Sequence, residues 1–90
     1  MHQINPHEFE TIEENAYLAD IAQAKKLISK RELQVLELIK QGARNPEIAD
    51  HFNLSVKTVE NHVRSILKKL NAKKRTHAVV NALRLEILTV

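Results

Sequence analysis

The fold is decided by Asn45–Asn71, which reads NPEIADHFNLSVKTVENHVRSILKKLN and contains two helical patterns separated by the break Asn-Leu-Ser at 53–55. Asn45 is expected to cap the first helix, and Pro46 suits the first helical position because its missing N–H would be unpaired there anyway. In the break, asparagine tolerates the left-handed conformation, and Ser55 can cap the second helix. The stretch therefore predicts a helix-turn-helix.

The second of these helices has two different faces. Apolar residues recur at helical spacing and predict a buried stripe, made by Val59, Ile66, Leu67 and Leu70, with Val63 beside it. The opposite face keeps charged and polar residues, namely Lys57, Glu60, Asn61, Arg64 and Lys68. This division indicates a helix that packs on a core with one side and offers the other side to a partner.

The polar face has the side-chain chemistry that reads base edges in the major groove. Asparagine pairs bidentately with adenine, arginine pairs with guanine, and glutamate accepts from cytosine, so Asn61, Arg64 and Glu60 are candidate base-reading residues. The residues better suited to phosphates are Lys57, Thr58, Lys68 and Lys69. A charged helix face is often only solvated. The capped helix, turn and capped helix around this face nevertheless favour DNA binding.

A wider set of residues, spread from Ile28 to about Leu88, carries a family resemblance. They are Ile28, Ser29, Arg31, Glu32, Val35, Leu36, Gly42, Asn45, Glu47, Ile48, Ala49, Leu54, Ser55, Thr58, Val59, Asn61, His62, Ile66, Lys69, Leu70, Arg75 and Ala78. In this pattern the chain resembles the LuxR/GerE-type DNA-binding domain of bacterial transcription regulators. The resemblance covers about two thirds of the chain without a gap.

The resemblance implies an all-α, four-helix LuxR-type helix-turn-helix domain. Its third helix, about 56–70, enters the major groove of double-stranded DNA, and its fourth helix pairs with a second copy in a homodimer. Carried over by position, base contacts fall to Glu60, Asn61 and Arg64, and contacts to the DNA backbone fall to Asn45, Lys57, Thr58 and Lys69. Glu60 stands where relatives are often basic, so the operator sequence is not predicted.

Two other nucleic-acid interpretations fit part of the pattern. The promoter-reading region of sigma factors shares a similar Arg-Glu, Glu-Ile-Ala and Thr-Val pattern, but the Asn61-His62 pair and the ILKKLN ending fit the LuxR type better. A binder of single-stranded RNA would need exposed aromatic side chains for stacking. The chain has two Phe and one Tyr, none of them between Lys57 and Arg75.

Charge is distributed unevenly along the chain. The 90 residues have a net charge of +3, yet residues 1–20 hold five acidic residues and no Lys or Arg. Between Lys57 and Arg75 there are seven basic residues and one acid. Such a surface attracts a polyanion and releases its counterions.

A first helix is predicted to begin at Ser29, because Ser29 and Glu32 form an S-x-x-E capping box. Arg31 and Glu32 are expected to have a structural role, in which Glu32 caps this helix and forms a salt bridge to a neighbouring helix.

The two ends of the chain lie outside the helix-turn-helix. We divide the sequence into an acidic N-terminal helix or arm, 1–26, and a LuxR-type DNA-binding domain, 27–90. The arm is too short for a receiver or ligand-binding domain, so the chain is either a small stand-alone regulator or the end of a longer one. A last helix, about Thr76 to Leu88, carries more apolar surface than a three-helix core requires, which points to Val80 and Leu85 as a dimer interface. The alternative is that these residues only complete the core.

Catalytic and metal functions are not supported by the sequence. The five histidines include no pair at i, i+3 or i+4, there is no cysteine, and a single glycine cannot build a phosphate-binding loop. We therefore expect no enzyme activity, no cofactor and no metal. With no apolar run near the ~20 residues of a membrane span and no signal peptide, a cytoplasmic protein is expected.

The competing functional class is a protein-interaction module. Such a domain would keep the helix-turn-helix fold but bind another regulator or RNA polymerase instead of DNA. Glu60 and the acidic N-terminus favour this alternative, whereas the basic stretch 57–75 favours DNA.

Overall fold

The computed structural model describes residues 22–90, and over this range the chain is helical without strands. Residues 22–27 are helical, and four complete helices follow: α1 (Lys30–Lys40), α2 (Asn45–Phe52), α3 (Val56–Lys69) and α4 (Arg75–Arg84). The all-α, four-helix prediction is confirmed. The predicted acidic helix or arm, 1–26, lies outside the described residues except for its last five positions, which are helical.

Two of the helix starts follow the predicted capping. The Ser29 side chain accepts from the Glu32 N–H at 3.1 Å, and the Glu32 carboxylate accepts from the Ser29 N–H at 2.9 Å, which closes the capping box at α1. At α3, the Ser55 hydroxyl accepts from the Thr58 N–H at 3.1 Å. Both helices thus begin where the sequence predicted, because each has a side-chain acceptor for an otherwise unpaired N–H.

The predicted start of α2 is wrong by one residue. Arg44 occupies the cap position in extended conformation, Asn45 is the first helical residue, and Pro46 is the second. The Glu47 carboxylate accepts from the Arg44 N–H at 3.0 Å, so an acid in the first turn bonds back to the cap residue. The amide of Asn45 is thereby left for a long-range contact.

All four helices end with the same turn, in which one residue adopts positive φ. The residues are Gly42 (φ 91°), Asn53 (55°), Asn71 (51°) and Glu86 (60°). In each case the next N–H reaches back to an earlier carbonyl, as in Leu54 N–H to Ala49 O at 2.8 Å. This is the Schellman arrangement, and it pairs carbonyl groups that a helix end leaves open.

The last helix is shorter than predicted, ending at Arg84 rather than near Leu88. Glu86 turns the chain back, and the Ile87 and Leu88 N–H groups both donate to the Ala82 carbonyl at 2.8 and 3.1 Å. Leu88 is only 2% exposed. Burying this side chain under the helix end is more favourable than extending a helix that would leave it in solvent.

The core is made of aliphatic side chains from every helix. The α1 helix packs on both α3 and α4, while α2 packs mainly on α3. Small side chains at Ala49, Ala78 and Ala82 are buried and allow close approach of the backbones. The remaining buried members are Val35, Leu36, Ile39, Ile48, Val59, Ile66, Leu70 and Leu88.

Candidate nucleic-acid interface

The outward face of α3 keeps its three candidate base-reading residues in solvent. Glu60, Asn61 and Arg64 are all exposed, on the side of α3 opposite to the buried Val59 and Ile66. Residues three and four apart are neighbours on a helix, so Arg64 lies beside both Glu60 and Asn61. The structure thus places the three together on one accessible surface.

The candidate phosphate-contacting residues border this surface. Lys57 and Lys68 are exposed, and Thr58 and Lys69 are half-buried. The Thr58 hydroxyl lies 2.9 Å from the Ser55 hydroxyl. This bond fixes the Thr58 side chain at the start of the helix, where backbone N–H groups also favour an anion.

The far end of α3 is anchored to α1 through Glu32. This carboxylate is 4% exposed and accepts from the Lys69 ammonium at 2.7 Å and from the Ser65 hydroxyl at 2.8 Å, besides the Ser29 N–H. Burial alone raises the pKa of Glu32, but these three hydrogen bonds and the Lys69 charge outweigh it and lower the pKa from 4.5 to about 2. Glu32 is therefore ionised near neutral pH and holds two successive turns of α3 on α1.

A second anchor joins the starts of α2 and α4. Arg75 donates to the Asn45 Oδ1 atom at 2.9 Å and to the Ala43 carbonyl at 3.0 Å. The Asn45 amide keeps its NH₂ group, with two donors, for another acceptor. Asn45 therefore lies at the start of α2 with its side-chain oxygen paired inside the fold.

Sequence reasoning missed the partners in both anchors. It identified the Ser29–Glu32 box and expected Glu32 to pair with a neighbouring helix, but it did not name Ser65 or connect Arg75 with Asn45. These pairs are 33 and 30 residues apart in sequence. The available signal was only the presence of Glu32 and Arg75 in the family resemblance, since helical periodicity says nothing about distant pairs.

Arg31, next to Glu32, has a separate role. Its guanidinium lies 4.4 Å from the centre of the Phe52 ring, at the end of α2. A cation over an aromatic face is attracted to the ring electrons. Arg31 therefore joins α1 to α2, and the turn that follows Phe52 leads directly into α3.

The sequence of this domain matches a known family. The sequence profile described as "Bacterial regulatory proteins, luxR family" matches residues 26–82. The chain belongs to the LuxR family. Its membership confirms the predicted resemblance, and the family consists of bacterial regulatory proteins.

Individual LuxR-family relatives match the same region. Identity to the spore germination protein GerE of Bacillus subtilis (strain 168) is 44% over 63 residues, which cover 70% of this chain and 85% of GerE. Identity to the oxygen regulatory protein NreC of Staphylococcus carnosus (strain TM300) is 46% over 63 residues, or 70% of this chain and 29% of NreC. The uncharacterized transcriptional regulatory protein YxjL of Bacillus subtilis (strain 168) is 50% identical over 56 residues, which span 26% of YxjL. The matched region is thus most of GerE but less than a third of NreC and YxjL.

The last helix of this LuxR-family domain exposes part of its apolar surface. Val80 of α4 is 40% exposed, whereas Leu85 follows the helix end instead of lying within the last helix as predicted, and it is half-buried and packs against the core. Leu85 also lines a groove of about 380 Å³ with Leu70 and, from the helical segment 22–27, Ala24 and Leu27. The two predicted dimer residues therefore differ in accessibility, and Val80 is the more open of them.

Residues 22–90 contain neither a membrane-spanning helix nor a cluster of metal ligands. In that range no helix has the length and apolar character needed to cross a membrane. Over the same residues, no three His, Cys, Asp or Glu side chains are grouped so that they could hold a metal ion.

Proposed function

We propose that this LuxR-family domain, residues 27–90, regulates transcription by placing α3 in the major groove of a specific double-stranded DNA site. One observation carries the proposal: Glu60, Asn61 and Arg64 are exposed together on a helix whose opposite face is packed and which is anchored through Lys69. A recognition helix needs this rigidity, because base-edge hydrogen bonds tolerate little error in position.

The three exposed residues have complementary roles in this proposal. Arg64 pairs with the O6 and N7 atoms of a guanine, and Asn61 pairs with the N6 and N7 atoms of an adenine. Glu60 accepts from the amino group of a cytosine. Because a carboxylate at this position repels phosphate, it contributes to the choice of base rather than to affinity in general.

Contacts to the DNA backbone come from the border of α3 and from the start of α2. Lys57 and Lys68 supply exposed charges, and Thr58 supplies a hydroxyl beside the N-terminus of α3. Lys69 gives one of its ammonium donors to Glu32 and has two others for a phosphate. The Asn45 NH₂ group is the corresponding donor on α2.

The proposal extends to assembly and partners. A single recognition helix spans few base pairs, so we propose a homodimer through α4, with Val80 and Leu85 at its interface, on a two-fold symmetric site. RNA polymerase is a further candidate partner on the promoter. In this proposal the protein acts in the cytoplasm, and the domain performs no catalysis and uses no cofactor.

The experiment compares a selected duplex with random DNA. Asn61→Ala and Arg64→Ala should each weaken binding to the selected duplex by about 1 to 3 kcal/mol and have little effect on random DNA. Lys68→Ala is the matched control from the same exposed face. It should weaken both duplexes equally and reduce the slope of log affinity against log salt by about one.

The opposite pattern would reject the proposed reading face. Equal losses on both duplexes for Asn61→Ala and Arg64→Ala would mean that neither side chain reads a base. Absence of measurable binding to any duplex, together with retained binding to a regulator or RNA polymerase, would support the protein-interaction alternative.

A further inference from the structure

The first helical residue of α3 presents an apolar side chain where the proposed reading face begins. Val56 is 40% exposed and lies outside the apolar cluster that packs on the core. Among the described residues, the other exposed large apolar side chains are Leu27, Val80 and the fully exposed Val90, none of them on α3. Packing of α3 on the core therefore does not explain why an apolar side chain stands at position 56.

The position of Val56 aligns it with the proposed base-reading residues. It lies four residues before Glu60 and eight before Arg64, so the three form one row along the helix. The N-terminal part of a recognition helix is the part that contacts base edges. If α3 binds in the major groove as proposed, Val56 lies at the end of the helix that contacts base edges.

The first turn of α3 is also rigid. The Ser55 hydroxyl accepts from the Thr58 N–H and lies 2.9 Å from the Thr58 hydroxyl, so both hydroxyl groups of the turn are engaged in capping. A β-branched valine has one strongly preferred rotamer in a helix. The two methyl groups of Val56 are thus already fixed in place, so the side chain loses no rotamer entropy on binding.

The chemistry of the major groove offers one apolar group on its base edges. Thymine carries a methyl group at C5, whereas adenine, guanine and cytosine present hydrogen-bond donors and acceptors. Valine has no polar side-chain atom and cannot satisfy those groups. We propose that Val56 is a further specificity-determining residue of this domain and contacts the C5 methyl group of a thymine in the DNA site.

This inference rests on the proposed function, and the test separates the two. The full chain is used to select a duplex, and each thymine in that duplex is replaced singly by uracil, which removes only the methyl group. For the wild-type chain, uracil at one position should weaken binding about fourfold, the value of one buried methyl group. For Val56→Ala, the ratio of thymine to uracil affinity at that position should be close to one.

Two other variants complete the design. Val90→Ala makes the same change at an exposed valine of the chain end and should keep the wild-type ratio of thymine to uracil affinity. Val56→Thr keeps the shape and one methyl group and should give an intermediate ratio. Circular dichroism checks that all three variants are folded, and the use of ratios removes any general change of affinity.

Each outcome decides between the two claims. If no uracil position distinguishes the wild type from Val56→Ala, the thymine contact is wrong, while the loss of specificity in Arg64→Ala still supports the reading face. If selection enriches no duplex, the proposed function fails and the thymine contact fails with it.

Discussion

Glu32 is the residue on which the placement of α3 depends most directly. Its buried carboxylate is bonded to Lys69 and Ser65, and it also closes the cap of its own helix. A buried carboxylate without its counter-ion is costly, because desolvation is no longer offset. One acidic side chain thus links a local helix start to the orientation of the proposed DNA-reading helix.

The lowered pKa of Glu32 predicts a loss of stability in acid. Because the pKa is about 2 in the folded chain and 4.5 ordinarily, the stabilisation is fully present above pH 4.5 and is lost as the pH falls toward 2. The contribution of Glu32 to the free energy of unfolding should fall by about 2 kcal/mol between pH 7 and pH 3. Urea unfolding of the wild type and of Glu32→Gln at both pH values measures this contribution.

The stability difference between Glu32→Gln and the wild type should depend on pH. Glu32→Gln is expected to be less stable than the wild type at pH 7, and the difference should narrow at pH 3. A difference that is the same at both pH values would show that the carboxylate charge does not stabilise the fold. Glu37→Gln provides the control, since Glu37 is a partly exposed acid on the same helix and pairs with Lys40 near the surface.

At the scale of the helix, the four similar C-terminal turns differ in the residue that adopts positive φ. Glycine and asparagine tolerate that conformation, and they occupy three of the positions. Glu86 is the exception, with φ 60°. A glutamate pays a steric penalty there that the burial of Leu88 offsets.

Glu86→Gly should therefore stabilise the domain. Removing the steric penalty outweighs the greater freedom of glycine in the unfolded chain, and the expected gain is about 0.5 to 1 kcal/mol. Thermal unfolding should show a Tm higher by a few degrees. Asn71→Gly, at the equivalent turn after α3, is the control and should change Tm less. A lower Tm for Glu86→Gly than for the wild type would refute this account of the turn.

The same helices show what the sequence could predict. The starts of α1 and α3 were predicted because Ser29 and Ser55 cap through bonds to residues three positions away. The end of α4 was not predicted, since the apolar periodicity continues through Leu88 and no glycine or asparagine marks the turn. Local capping is thus readable, whereas a helix end decided by burial of the following chain is not.

The candidate site, too, was predicted only in part from the sequence. The exposed face of α3 follows from helical spacing alone, and the structure places Glu60, Asn61 and Arg64 on it. The first residue of α2 was misassigned, because Glu47 bonds back to Arg44 at the cap position and Asn45 instead meets Arg75 across the fold. Contacts between distant residues depend on how the helices pack, which periodicity does not specify.

At the scale of the whole molecule, the exposed part of α4 predicts assembly. Val80→Glu should separate the proposed homodimer, because a charge would be buried at the interface, while each copy remains folded. Sedimentation at high concentration should show a mass falling toward the monomer, and affinity for a symmetric site should fall. Circular dichroism should be unchanged because Val80 is outside the core.

A control variant tests whether the effect of the added charge is specific to position 80. Val90→Glu introduces the same charge at a fully exposed valine and should leave the dimer intact. Leu85→Ala should weaken pairing less than Val80→Glu, because Leu85 is partly used by the core. A wild-type chain that is monomeric both free and on DNA would exclude pairing through α4.

The central claim is that the exposed face of α3 reads duplex DNA, and selection from a pool of random duplexes measures it most directly. The wild type should enrich one motif with two-fold symmetry. Arg64→Ala should enrich a motif that has lost its preference at one base pair of each half, because the guanine contact is gone. No enrichment by the wild type, or an identical motif from Arg64→Ala, would contradict the account.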